Sequence, residues 1–102
     1  MLLDDAADLN VVSQTFVMTH TLQPIEEAKL PSPKDFHGGT PHVYGAHAIR
    51  LRLTDSRGTT RDTEDIFYAI DIGTPSLLLG RLWRQKQGVV MDSATDEWTY
   101  EL

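Results

Sequence analysis

Leu2-Leu3-Asp4-Asp5-Ala6-Ala7-Asp8-Leu9-Asn10-Val11-Val12-Ser13 sets three carboxylates within five residues, between two short apolar runs. Neighbouring like charges repel, and a buried carboxylate costs roughly several kcal/mol unless it is paired or protonated. Acids this dense beside core-type residues point to a site. The runs Leu2-Leu3 and Leu9 to Val12 are rich in Leu and Val, as expected of two short strand pieces flanking a turn. Ser13 then stands as an N-cap before Gln14 to His20, where Phe16, Val17 and Met18 fit one or two turns of helix and Pro24 bars a longer one.

Outward from this stretch, the chain alternates loops with strand patterns. Gln23 to Leu30 fits neither the helical nor the strand period. Pro31 to Pro41 packs three prolines and two glycines into eleven residues, which is the composition of a hairpin loop. His42 to Thr54 and Thr59 to Asp71 are the clearest strands, with Ile49, Leu51 and Leu53 on one face and Arg50 and Arg52 on the other. The polar run Thr54 to Thr59, with Gly58, predicts the turn between them. Leu77-Leu78-Leu79-Gly80 has no polar alternation, so a strand buried on both faces is expected. Leu82 to Gln87 contains good helix formers and stops at Gly88, while Val89-Val90-Met91 and Trp98-Thr99-Tyr100 make a last hairpin across Asp92 to Asp96.

Composition narrows the function classes. The chain has 102 residues, enough for one domain with one modest core. Nine Lys plus Arg against fifteen Asp plus Glu, a net charge of -6, leave no broad basic face for nucleic acid. No cysteine is present, so disulfides and thiolate metal sites are excluded and an intracellular, cytoplasmic setting is the default. No run approaches the length of a membrane helix, and the basic start and apolar block of a signal peptide are missing. No membrane partner and no cofactor are therefore expected. His37, His42 and His47 recur every five residues, but odd spacing on a strand sends neighbours to opposite faces, which argues against a metal site. Trp83 and Trp98 read as core or edge packing.

The opening stretch resembles the active-site strand of retropepsin-type aspartic peptidases of Ty3/gypsy-like retrotransposons, whose pattern is apolar-apolar-Asp-Ser/Thr-Gly-Ala-Asp/Thr. Asp4 falls on the catalytic aspartate, and Ala7 and Asp8 on the alanine and acidic residue after the triplet. Two later segments extend the resemblance in the same order. Leu77 to Trp83 is similar to the family's apolar-apolar-Leu-Gly-x-x-Trp/Leu segment, and Val89 to Asp92 with Trp98 to its terminal hairpin. The resemblance implies an all-β, closed-barrel retropepsin fold over residues 1–102 with one short helix near the C-terminal end. Only Met1, Leu2 and Leu3 precede Asp4, so the family's N-terminal strands are expected to be missing.

By the same resemblance, the chain is expected to hydrolyse peptide bonds of a peptide or polyprotein substrate. Two carboxylates that share one proton activate water, one as acid and one as base. A single motif of this type occurs, because Asp71-Ile72-Gly73 lacks the following Ala-Asp and reads as a strand-ending turn. The dyad would thus come from Asp4 of two copies in a homodimer. Asp8 would bind substrate backbone and pair with Arg81, while Gly38, Gly39 and Thr40, in the flap-like hairpin that runs on to Gly45, would also contact substrate.

The departures lie in the active-site loop of Asp5, Ala6 and Ala7. Asp5 replaces the family's Ser/Thr and, when ionised, donates no hydrogen bond across the axis. Ala6 replaces a glycine at a turn that uses glycine's freedom. Both argue for weak or lost activity, and a non-catalytic dimerisation or peptide-binding module on the same scaffold is the alternative.

Overall fold

A computed structural model describes residues 2–3, 8–31, 41–73 and 75–101. In chain order the elements are β1 (Leu2–Leu3), β2 (Val11–Ser13), α1 (Gln14–Thr19), β3 (Gly45–Thr54), β4 (Thr60–Ile70), β5 (Leu77–Leu79), α2 (Arg81–Gln87), β6 (Val89–Met91) and β7 (Trp98–Tyr100). Ser13 caps α1 as expected: its backbone is extended and its Oγ accepts from Phe16 N at 3.3 Å. Gly88 ends α2 in the left-handed region at φ 65°, where its N–H reaches the Arg84 and Gln85 carbonyls.

The five-stranded sheet has the order β1-β5-β2-β4-β3, and β6 pairs with β7 separately. This overturns the expected closed barrel with one helix. Among the described residues the sheet is open, with β1 and β3 at its two ends, and two short helices accompany it. Alternation of apolar and polar residues identifies strands, but it carries no information on which strand each one pairs with.

The long β3–β4 hairpin runs in register from Gly45↔Ala69 to Thr54↔Thr60. Its outer face carries the cross-strand ion pairs Arg50–Glu64 and Arg52–Asp62, all four side chains more than half exposed. Pairs this exposed contribute little to stability. On the other face Phe67 and Ala69 align with Val12, which lies beside Leu77, and these residues form the core with Leu79, Trp83, Val17 and Tyr100. The all-apolar β5 is less buried than expected: Leu79 is fully buried, whereas Leu77 and Leu78 are half-buried.

Asp55, read from sequence only as a turn residue, is 6% exposed and ties the hairpin to β7. Its Oδ1 accepts from Arg57 N at 2.9 Å and Thr59 N at 2.8 Å, and its Oδ2 from Tyr100 N at 3.0 Å. Burial alone would raise its pKa, but the Tyr100, Thr59 and Arg57 N–H donors and the Arg57 charge outweigh burial and hold it below the usual carboxylate range. A group depressed in the folded state stabilises above its unfolded pKa of about 3.9 and loses that contribution as pH falls through the folded value. Asp55→Ala is therefore expected to lower Tm at pH 7 by roughly 10 °C, since three N–H groups lose their acceptor. The gap between variant and wild type narrows below about pH 4. Circular dichroism melts across pH check this, and equal Tm values at pH 7 would contradict it.

Candidate functional site at the connection from β1 to β2

The strand order sets up the site. β1 and β2 are consecutive, yet they do not pair, because β5 lies between them, parallel to β1 and antiparallel to β2. Leu3 pairs with Leu79 and Val11 with Leu78, so β1 ends and β2 begins at the same end of β5, where the chain turns through Gly80 into α2. The described ends of the connection from β1 to β2, Leu3 on one side and Asp8 on the other, thus lie at the corner between β5 and α2.

Asp4, Asp5, Ala6 and Ala7 of that connection lie outside the described residues, as do Gly38, Gly39 and Thr40, and also His37. Asp8 is described, and it meets Arg81: the guanidinium Nε donates to Asp8 Oδ1 at 2.9 Å. The pair is partly shielded, with Asp8 24% and Arg81 43% exposed in their side chains. The bond is charge-assisted and short enough to hold the carboxylate against the guanidinium. Asp8 also accepts through its backbone, from Leu82 N at 3.0 Å, so both its side chain and its carbonyl are held by the first turn of α2.

Gly80 makes this approach possible. A Cβ placed on it would stand 2.5 Å from the Leu9 carbonyl oxygen, 2.6 Å from the Leu9 carbonyl carbon and 2.7 Å from the Asp8 oxygen. Its φ of -82° is ordinary, so the glycine is required by space and not by backbone conformation.

Asn10 is the site residue that sequence reasoning missed. It is 9% exposed, and its Oδ1 accepts from Gly80 N at 2.9 Å while its Nδ2 donates to Ile66 O at 3.3 Å. Its backbone carbonyl accepts from Tyr68 N at 3.0 Å. One amide thereby joins the start of β2, the β5–α2 corner and β4. The available signal was a lone carboxamide just before an apolar strand, a position where burial demands partners.

The remaining candidates fall elsewhere. His47 is buried with Nδ1 3.0 Å from Gln23 O, whereas His42, which precedes β3, lies edge-on against Tyr44 at 4.5 Å. Among the described residues no group of three His, Cys, Asp or Glu side chains is placed to hold a metal. Asp71 follows β4 and accepts from the Tyr44 hydroxyl at 2.9 Å, a bond that raises the Tyr44 pKa above its usual value. Trp83 is 3% exposed in the core, and Trp98 packs against the core's edge. Among the described residues no helix is long and apolar enough to cross a membrane.

Comparison with family models, curated proteins and solved structures returns no match for this chain.

Proposed function

We propose that the chain is a retropepsin-type aspartic endopeptidase domain of the Ty3/gypsy retrotransposon kind, working as a homodimer on an extended peptide or polyprotein. Asp4 of each copy supplies one carboxyl of the dyad, and Asp5 and Ala6 hold its activity far below that of an intact triplet. The observation that supports this most strongly is the placement of β5 between β1 and β2. Leu3 and Asp8, the described residues on either side of Asp4 to Ala7, thereby stand at the end of β5, with Asp8 braced by Arg81 and Leu82 and the Asp8 and Leu9 backbone packed on Gly80.

The chemistry follows from the pairing of carboxyls. Two that approach within about 3 Å cannot both ionise cheaply, so the pair holds one proton between them and titrates as a unit. Its ionised member would take a proton from water as the water oxygen adds to the scissile carbonyl carbon and the other carboxyl protonates the carbonyl oxygen; return of a proton to the amide nitrogen then lets the C–N bond break and the amine leave. Asp8, held in place by Arg81, would present its carboxylate to a backbone N–H of the substrate beside the dyad. The lack of cysteine suits a reducing interior, where we place the protein.

The test is cleavage of an apolar-rich peptide near pH 5, with Asp4→Asn as control. Slow cleavage abolished by Asp4→Asn is the expected result, and cleavage that survives that substitution contradicts the assignment. Asp5 and Ala6 favour one second reading, a module that dimerises or holds peptide without cutting it. A dimeric mass in solution with no turnover, even at high enzyme concentration, would select that reading.

A further inference from the structure

Asp65 is a carboxylate on the core face of β4, opposite Ile49 and two residues before the fully buried Phe67. Its side chain is 10% exposed, and an acid so placed costs free energy unless it is partnered. The partners come from α2: Trp83 Nε1 donates to Asp65 Oδ2 at 3.1 Å, and Lys86 Nζ lies 3.5 Å from Asp65 Oδ1. Trp83 and Lys86 are three residues apart and so share one face of the helix. The indole bond holds the Trp83 face of the helix toward β4, and Lys86 extends that contact along the same face. Arg81 lies two residues before Trp83, about 200° around the axis, which turns it away from Asp65 and toward Asp8.

We propose that Asp65 is a positioning residue for the Asp8–Arg81 pair, acting through the Trp83 indole to set the rotation of α2. Side-chain ends stand about 5–6 Å from a helix axis, so a rotation of about 30° moves them by about 3 Å. That is enough to break the 2.9 Å bond from Arg81 to Asp8. The bonds from Gly80 N to the Asn10 side-chain oxygen and from Leu82 N to the Asp8 carbonyl fix the start of the helix, and Asp65 fixes the direction in which its first side chain points. The inference rests on the reading of Asp8 and Arg81 as the brace of the peptidase site. It is measured without any cleavage assay, so the two can fail separately.

The experiment follows the Arg81 Nε–H resonance by nitrogen-15 NMR, identified by its loss in Arg81→Lys, and records its exchange with water. Asp65→Ala is expected to speed that exchange roughly tenfold, as expected when one supporting hydrogen bond is lost. Asp65→Asn, which keeps an acceptor for the indole, is expected to stay within about twofold of wild type. Trp83→Phe keeps a ring in the core without the donor and reproduces the Asp65→Ala result, and it carries the test alone should Asp65→Ala not fold. Wild-type exchange in both Asp65→Ala and Trp83→Phe overturns the proposal, as does fast exchange in Asp65→Asn. Loss of thermal stability with Arg81 unaffected would make Asp65 a structural residue only.

Discussion

Gly80→Ala is expected to destabilise the protein by about 3 kcal/mol and to lower Tm by roughly 10–20 °C. The new methyl would meet the Leu9 carbonyl and the Asp8 oxygen at 2.5 to 2.7 Å, and these are backbone atoms that no rotamer change can move aside. Relief requires the start of β2 to lift from the corner between β5 and α2. That movement stretches the bond from Gly80 N to Asn10 Oδ1 and the bond from Leu82 N to Asp8 O. The loss should therefore fall on the Asp8–Arg81 pair as well as on global stability. Denaturant unfolding with an unchanged m-value would locate the effect in the native state. A variant that melts within about 2 °C of wild type would contradict the close approach.

The second large effect is a gain. Asp5→Ser combined with Ala6→Gly is expected to raise the rate of peptide cleavage by at least about 100-fold. In the proposed homodimer Asp5 would bring two further carboxylates near the two Asp4 groups, and repulsion at an effective dielectric of about 20 amounts to a few kcal/mol for each close pair. Each 1.36 kcal/mol removed from the barrier is about tenfold in rate. Serine also supplies the hydroxyl donor that an ionised aspartate lacks, and glycine frees the turn. The assay is run near pH 5, above the range in which the stabilisation from Asp55 fades, so loss of fold does not obscure the comparison. A restored chain that dimerises yet never cuts would show that the triplet is not what limits it.

Much of the fold was legible in the residues themselves. The alternation of Ile49, Leu51 and Leu53 with Arg50 and Arg52 reappears in their observed burial, and Ser13 and Gly88 bound the two helices as capping chemistry requires. The Asp8–Arg81 contact spans 73 residues and was suggested by resemblance and not by pattern. What stayed hidden are properties of pairing at long range. Nothing local in Leu77-Leu78-Leu79 says that it threads between β1 and β2, and that arrangement replaces the barrel with an open mixed sheet. The partners of Asn10 lie 70 and 56 residues away, and those of Asp55 include Tyr100, so each reads locally as an ordinary polar residue beside a strand or turn. Gly80 was legible as the end of a strand, but the carbonyls that exclude a side chain there come from the other end of the chain.

The central claim, that Asp4 of two copies forms one catalytic pair, is tested most directly by mixing. At fixed total chain, half of the restored protein is replaced by the same protein carrying Asp4→Asn, and cleavage of an apolar-rich peptide is followed near pH 5. A dyad shared between two chains predicts that activity falls to about a quarter, because only pairs of intact copies cut. A fall to about half would mean that each chain acts alone, and would contradict the account.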